Sequence, residues 1–356
     1  MMRFQKSIAQ EVGDEDDYFA YERPLDFVTA AERKALLKAT KGDEAAATPI
    51  DEPSQDEEEQ FKYLLGHAHL FDTEGGDADV DVLPIEDGLG IINIPVYIHI
   101  VYPDGEDVNG SVSDAQIISQ MNVLDADFRD INTNQLPSGT TFANDATDAG
   151  FSFSLAGTFR HDDSTSSWGT NNSVKSAYPP ITPETHMNIW VCNIGGGILG
   201  YAQFPGGSLS TDGIVLGGDY FGNTGGPYGA GRTATHEVGH YLNLRHIWGD
   251  GRCRQDDFVA DTPSSDGANY GCPSYPTVNC KSADMTMNYM DYTNDACMYM
   301  FSKDQKNRAQ LIMTNSPMRA SLITSSVCNL PNIGNDVGIT FVSSPTYSQT
   351  LNCIFN

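Results

Sequence analysis

The sequence predicts a mixed α/β fold in which a twisted β-sheet packs against helices and is followed by a long irregular segment. A run of β-branched and apolar residues at 91–101 is typical of a buried strand. Apolar residues at helical spacing follow after Ser113, and shorter apolar runs then alternate with Gly- and Ser-rich loops. The segment 247–299 is rich in Asp, Pro, Gly and Cys and leads into a last helix.

Length and charge exclude several classes of protein. The chain has 356 residues, of which 39% are hydrophobic, so it can form one large domain or two ordinary ones. Its 48 acidic and 20 basic residues give a formal charge of −28, which argues against nucleic-acid or anionic-membrane partners. No stretch approaches 18 consecutive apolar residues, so no membrane-spanning helix is predicted.

Residues 1–90 differ in composition from the rest of the chain. They contain 23 Asp and Glu against eight Lys and Arg, and their acidic and Gly-rich runs cannot bury enough apolar surface to offset the entropy of ordering. We expect a largely flexible acidic leader with one short helix near 24–41. A solvated linker without a role is the alternative interpretation of this composition.

The predicted domain begins at 91 and extends to about 325. After the first strand, Ser113 and Gln116 form a capping-box signal for a long amphipathic helix that packs on the sheet. A second helix is predicted at 233–243, and Ser302 with Gln305 predicts the start of a last helix. Further strands are predicted at 151–155, 187–194 and 213–216. Residues 326–356 look like a linker and the beginning of a β-sandwich-like module cut short.

The chain has seven cysteines and no Cys-x-x-Cys pair, so a disulfide framework is favoured over a thiolate metal site. Four of the seven lie within 253–297, where they allow three pairings. Cys192 lies in an apolar strand and is predicted to be a buried free thiol; Cys328 and Cys353 are candidates to pair with each other. Disulfides indicate an oxidising compartment. The N-terminus, however, has no apolar run typical of a secretion signal. A start codon placed inside the gene, or an incomplete chain, is the preferred explanation of this mismatch.

The most informative motif contains three histidines and a glutamate. On a helix, His236 and His240 are one turn apart and project from the same face, so that both imidazoles can reach one metal ion. Adding His246 leaves a fourth position for water, whose pKa a catalytic zinc would lower towards about 7. Glu237 is then placed to take the proton of that water and pass it to a leaving amine.

The spacing of His246 requires a turn. It lies six residues after His240, so a continuing helix would carry it to the wrong side. The helix must therefore end and the chain double back near Asn243, a residue type that tolerates the positive φ of such a turn.

The segment 235–246 resembles the extended zinc signature of the metzincin metalloendopeptidases, above all of their pappalysin-like branch. The run 288–292 resembles the Met-turn of that clan, and 295–301 is similar to the segment that follows it in pappalysins. The resemblance extends more weakly over about 91–325. One departure is Asn243, where the clan has Gly.

The resemblance implies roles for several further residues. Met290 would form a hydrophobic floor beneath the histidines. The hydroxyl of Tyr292 would donate a hydrogen bond to the oxyanion formed during hydrolysis. Flexible core filling and a packed tyrosine are the alternatives from the residues alone. Run 200–205 resembles the edge strand that borders the cleft, on which an extended peptide can add; an ordinary strand end is the alternative.

The resemblance also implies disulfides Cys253–Cys280 and Cys272–Cys297. Asp256, Asp257 and Asp261 could gather oxygen ligands for calcium, and the resemblance implies calcium in this region, with Asp257 and Asp261 as the predicted ligands. An acidic surface loop without an ion is the alternative for the two aspartates. The remaining histidines, His67, His69, His99, His161 and His186, have no ligand spacing and are expected to be structural.

Two functions of different classes fit these observations. The leading one is a secreted zinc endopeptidase that acts on protein or peptide substrates, with residues 1–90 as a pro-segment. Because no cysteine precedes Cys192, latency through a leader cysteine is not expected, and an aspartate of the leader is a possible substitute. The alternative is a binding or adhesive module that holds metal without turnover; Glu237 argues against it, since such a site has no use for a general base. The sequence predicts no oligomeric state.

Overall fold

The computed structural model describes residues 18–22, 90–102, 112–132, 136 and 139–323. The helix expected near 24–41 and the module expected at 326–356 lie outside these residues, and so does the possible pair of Cys328 and Cys353. None of the helices in the described ranges has the length and apolar character needed to cross a membrane.

A six-stranded mixed sheet forms the centre of the fold, in the order β1-β5-β6-β4-β2-β3. Its strands are β1 (Tyr18–Glu22), β2 (Ile92–Tyr102), β3 (Phe151–Asp162), β4 (Met187–Cys192), β5 (Ile198–Gln203) and β6 (Ile214–Gly217). The four strands β3, β2, β4 and β6 run parallel, and β5 pairs antiparallel with β6. This mostly parallel α/β sheet confirms the predicted fold class.

In the described part of the chain, five α-helices flank the sheet or follow it: α1 (Asp114–Phe128), α2 (Ser173–Ala177), α3 (Arg232–Tyr241), α4 (Lys303–Asn315) and α5 (Pro317–Ile323). The predicted starts of two of them are confirmed. Ser113 caps α1 by accepting from the backbone N–H of Gln116, and Ser302 and Gln305 form a complete capping box at α4.

The two faces of the sheet bury separate apolar clusters. The larger cluster joins the sheet to α1, α3 and α4 and includes fully buried side chains such as Ile94, Leu124 and Val238. The smaller cluster covers the opposite face and contains Trp190 and Cys192. Because α1 and α3 lie on the same side of the sheet and contact each other, the sheet provides a rigid platform for α3.

The segment between α3 and α4 has little regular structure. It contains the two-residue strands β7 (Tyr270–Gly271), β8 (Val278–Asn279), β9 (Ser282–Ala283) and β10 (Tyr292–Thr293). Disulfides join Cys253 to Cys280 and Cys272 to Cys297, the pairs that the resemblance implied. Cys192 is a buried free thiol, and burial raises its pKa to about 12.

The structure adds to the sequence-based expectations for strands β3 and β1. Strand β3 continues to Asp162, seven residues beyond the predicted end, because polar residues on its outer part pair with β2 along the whole length of that strand. Strand β1 lies inside the segment expected to be largely flexible, and it pairs antiparallel with β5.

Candidate metal centre and active site

Helix α3 supplies His236, Glu237 and His240, and all ten of its residues are buried. It begins after Gly231, which has the left-handed φ of +83°. The rings of His236 and His240 lie 4.7 Å apart between centroids, as expected for side chains one turn apart on the same face.

The chain reverses direction directly after α3. Asn243 adopts a φ of +71°, and Leu244 donates its backbone N–H to the carbonyl of Gly239 at 2.9 Å, a C-terminal helix motif that closes the turn. This reversal brings Nε2 of His246 to 3.2 Å from Nε2 of His240. The possible ligand atoms of His236, His240 and His246 all lie within 4.8 Å of one another.

Hydrogen bonds at Nδ1 orient all three imidazoles. His236 donates to the carbonyl of Tyr289 and His240 to that of Leu244, each at 2.7 Å, while the Nδ1 of His246 contacts the carboxylate of Asp250. Because these acceptors require the proton on Nδ1, each Nε2 presents a lone pair to the common centre.

Burial favours the neutral form of the two helical histidines. Desolvation, followed by the neighbouring His246, holds the pKa of His236 and of His240 well below its usual range. A neutral imidazole is the form that binds a metal ion, so the electrostatic environment and the hydrogen bonds agree.

Met290 lies directly beneath α3. A Cβ built at Gly239 would overlap the Met290 sulfur, so the absence of a side chain at this helix position allows the close approach. Met290 is fully buried, and the preceding residue Tyr289 supplies the carbonyl that accepts from His236. The run 288–292 therefore contacts the histidine cluster both through sulfur packing and through a backbone hydrogen bond.

A buried ionic network joins this run to the rest of the domain. Asp127, at the end of α1, accepts hydrogen bonds from Arg232 at 3.2–3.3 Å and from the hydroxyls of Thr235 and Tyr289 at 2.9 Å. Asp295 accepts from the backbone N–H of Ala230 at 2.8 Å and of Arg232 at 3.1 Å. The network fixes the first turn of α3 relative to α1 and to Tyr289.

Aromatic rings surround the histidine cluster. Tyr292 is 8% exposed, and its ring centroid lies 5.6 Å from that of His236 and 5.0 Å from that of His246. Trp248 stacks on His246 with a centroid distance of 4.3 Å and an interplanar angle of 4°. Phe204 contacts His240 from the side of the sheet.

Strand β5 passes next to Glu237. A Cβ built at Gly200 would lie 3.0 Å from Cγ of Glu237, so the glycine lets the strand backbone approach the carboxylate-bearing side chain. Within the described part of 90–323, β5 is the last strand on its side of the sheet, and β1 pairs with its outer edge.

The two aspartates named for calcium hold the irregular segment together. Asp257 accepts from the hydroxyl of Thr262 at 2.8–2.9 Å and from the backbone of Val259. Asp261 accepts from the hydroxyl of Ser302 and from the backbone N–H of Asp304 at the start of α4. The three histidines are the one cluster of potential metal-ligating side chains found in the described part of the chain. Calcium at Asp257 and Asp261 stays a prediction.

The other described histidines lie away from this site. His99 and His161 stack on the opposite face of the sheet, where His99 also contacts Trp190 and Asn188. Burial lowers the pKa of His99 to about 4. His186 stacks on Tyr97 nearby.

Sequence reasoning missed several residues that position the site. Asp250, four residues after His246, was within reach of a local search, because a carboxylate so close to a candidate ligand is a common second partner of histidine. Asp127 had no comparable signal, since its partner Tyr289 lies 162 positions away. Trp248 likewise had no pattern that placed it against a ligand.

Comparisons with known proteins show which family this chain resembles. The profile of the peptidase family described as pregnancy-associated plasma protein-A matches residues 171–314. An extracellular metalloprotease of Arthroderma gypseum is 31% identical over 233 residues, which are 62% of this chain and 72% of that protein. The extracellular metalloprotease 1 of Coccidioides posadasii is 30% identical over a stretch that covers 61% of this chain and 75% of that protein.

Solved structures give the same result. A mutant of Tannerella forsythia promirolysin superposes with a TM-score of 0.64 and 41% identity, covering 68% of this chain and 87% of that one. Mature mirolysin of the same organism, in complex with a cleaved peptide, gives a TM-score of 0.62 and 42% identity over 65% and 96%.

Fold, histidine cluster and relatives together define a metallopeptidase. The chain belongs to the pappalysin family of metalloendopeptidases, as the resemblance in its sequence predicted.

Proposed function

We propose that this chain is a secreted zinc-dependent endopeptidase that hydrolyses peptide bonds with Glu237 as its general base. The observation that carries the proposal is the convergence of the three imidazoles of His236, His240 and His246, with Glu237 beside the first of them on the same buried helix.

The donor set fits zinc. Three imidazoles with their Nδ1 atoms engaged present three nitrogen ligands to one point, and catalytic zinc sites combine three protein ligands with an open position. When bound, zinc would act as a Lewis acid that polarises the scissile carbonyl and lowers the pKa of a water molecule. The proposed ligands are His236, His240 and His246.

Glu237 and Tyr292 would carry out the proton transfer and the charge stabilisation. The Glu237 carboxylate would accept a proton as the oxygen of water bonds to the peptide carbon, and would deliver it to the nitrogen as the C–N bond breaks. The Tyr292 ring, packed against His236 and His246, would let the hydroxyl donate to the carbonyl oxygen as negative charge develops there.

Strand β5 is the proposed binding edge for the substrate backbone. Gly200 within the strand lies beside Glu237, and Phe204, directly after the strand ends, lies beside His240, so the strand passes along these residues. Its outer edge accepts an antiparallel strand, since β1 pairs with it from Tyr18 to Glu22. Main-chain pairing of this kind tolerates many substrate sequences, as an endopeptidase requires.

The same pairing supports a pro-segment role for residues 1–90. A substrate strand and β1 would compete for the same outer edge of β5. With β1 in place, Glu237 and His236 are 0% exposed. A peptide would reach them only after β1 leaves β5, so we infer that removal of the leader activates the enzyme.

Two features support secretion. The disulfides Cys253–Cys280 and Cys272–Cys297 are stable in an oxidising compartment and rare in the cytosol. Relatives that are 30% or more identical are named extracellular metalloproteases.

The test uses the full chain and its Glu237→Ala variant. Each is assayed on casein, with and without 1,10-phenanthroline, before and after trypsin digestion that is then stopped with a trypsin inhibitor. We expect hydrolysis after digestion, loss of it with the chelator, and a fall of about 10²–10⁴-fold in Glu237→Ala with zinc content unchanged.

The exposed residue Glu184 provides the matched control, because Glu184→Ala removes the same group from a surface position. Unchanged hydrolysis in Glu237→Ala would overturn the mechanism. A wild-type protein that binds zinc yet cleaves nothing after digestion would instead favour a metal-holding module without turnover.

A further inference from the structure

The three histidines differ in the acceptor that each Nδ1 contacts. His236 and His240 donate to neutral backbone carbonyls, of Tyr289 and Leu244. His246 contacts the carboxylate of Asp250, in an ion-pair geometry. The third ligand is therefore the one whose hydrogen-bond partner carries a charge.

The loop around Asp250 is shaped to hold this contact. Gly249 donates its backbone N–H to the carbonyl of His246 at 2.9 Å, which closes a turn. Gly249 and Asp250 follow each other with φ of +60° and +55°. Two successive left-handed residues are uncommon, and Asp is among the few side chains that tolerate this region. The backbone thus directs the Asp250 side chain back to the ring four residues earlier.

The His246 ring is held on its faces as well. Trp248 stacks on it at 4.3 Å, and Tyr292 meets it nearly edge to face at 80°. The ring is 3% exposed and Asp250 is 20% exposed, so water screens their contact only in part. In such surroundings a charged acceptor acts more strongly than it does in bulk water.

We propose that Asp250 is a positioning residue that fixes the orientation of His246 and raises the affinity of the three-histidine site for zinc. A carboxylate acceptor pulls on the Nδ1 proton more strongly than a carbonyl does, which makes the lone pair on Nε2 a better donor to a cation. It also compensates the positive charge that the metal places on the ring. This inference rests on the proposed zinc function. It assigns to Asp250 a part of the free energy with which the site binds zinc.

Two substitutions separate charge from geometry. Asp250→Asn keeps an oxygen acceptor and a side chain that tolerates positive φ, and removes the charge. Asp250→Gly removes the acceptor altogether and suits the φ of +55° without strain. Asp266→Asn, at an exposed position of the same irregular segment, is the matched control for a change of one unit in net charge.

The readout is the zinc dissociation constant of the full chain, measured by competition with a fluorescent chelator. We expect affinity to fall about 10-fold in Asp250→Asn and about 100-fold in Asp250→Gly, with Asp266→Asn equal to wild type. The absorption spectrum of the Co²⁺-substituted protein should shift in the two Asp250 variants, because the ring is reoriented at the metal.

The inference would be overturned if Asp250→Asn bound zinc as tightly as wild type, or if Asp266→Asn lost as much zinc affinity as Asp250→Asn. It would also be overturned if the Asp250 variants kept the wild-type Co²⁺ spectrum and only the stability of their metal-free form were lower. The Asn variant decides the matter if the Gly variant does not fold. Failure of the proposed function looks different, since the wild-type protein itself would then bind no zinc.

Discussion

Two regions of the molecule build one site by different physical means. Helix α3 and the sheet beneath it present two histidines and a glutamate through a regular repeat, so a single pattern of backbone hydrogen bonds fixes all three. The irregular segment after α3 positions His246 and Tyr292 through left-handed residues, side-chain hydrogen bonds and two disulfides.

The difference indicates how each region responds to change. In the regular region, the helix would have to break before one ligand moved relative to the next. In the irregular region, each contact holds one side chain, as Asp250 holds His246 and as Asp291 accepts from the backbone of Asn269 at 2.8 Å. Substitutions there should weaken single properties and leave the fold in place.

The largest effect expected in the irregular region is at Tyr292. Tyr292→Phe keeps the ring contacts with His236 and His246 and removes the hydroxyl alone. We expect kcat to fall about 10²–10³-fold with KM and zinc content nearly unchanged, because the hydroxyl would act only on the developing oxyanion. Steady-state kinetics on a fluorogenic peptide measures both parameters.

Tyr299→Phe is the control for Tyr292→Phe, since the Tyr299 hydroxyl donates to the carbonyl of Ala296 in the same region. Equal kcat in Tyr292→Phe and wild type would show that Tyr292 is only a packed side chain.

The disulfides test whether the irregular region needs covalent links. The double variant Cys272→Ser and Cys297→Ser removes the disulfide that joins the residue directly after β7 to the segment after Tyr292. We expect the free energy of unfolding to fall by about 2–4 kcal/mol, because the unfolded chain gains conformational freedom. Urea unfolding followed by circular dichroism measures the change.

Reductant gives a second measurement. Wild-type protein should lose stability in dithiothreitol. Cys192→Ala should lose stability to the same extent, because Cys192 is a free thiol. Stability of the double variant equal to that of wild type would mean that hydrogen bonds alone hold the segment.

The stability of the protein should also depend on pH through one buried carboxyl group. Burial raises the pKa of Asp291 to about 7 from 3.8. Between these values the unfolded chain has lost the proton that the folded protein keeps, so the contribution of Asp291 to stability falls as pH rises from about 4 to about 7. Asp291→Asn should remove that decline, so its stability relative to wild type should increase over this range.

Chemical denaturation of both proteins at several pH values tests this. A constant difference in stability between wild type and Asp291→Asn across the range would contradict the raised pKa.

The regular region could be predicted from sequence because its signals are local. The apolar run at 91–101 gave a strand that extends from Ile92 to Tyr102, and the Ser302 and Gln305 pair gave the first turn of α4. Periodicity and capping act over a few residues, so they leave a pattern in the chain. The pairing of β1 with β5 and the contact of Asp127 with Tyr289 depend on three-dimensional proximity and left no such pattern.

The candidate site shows the same division. The spacing of His236, His240 and His246 required a reversal, and the positive φ of Asn243 follows from that geometry. Trp248 escaped prediction because its contact with His246 depends on the exact path of a loop, whereas Asp250, four residues after His246, was within reach of a local search. Family resemblance supplied the disulfide pairs, between which spacing alone left three choices.

The zinc content of the purified full chain tests the proposed metal centre; it is measured by mass spectrometry of the metal and compared with that of two histidine variants. We expect one zinc per chain in the wild type and in His161→Ala, which changes a ring on the opposite face of the sheet. We expect far less than one in His246→Ala, because the site then keeps only two of its three ligands. A wild-type protein without zinc, or full zinc content in His246→Ala, would contradict a metal centre built from these three histidines.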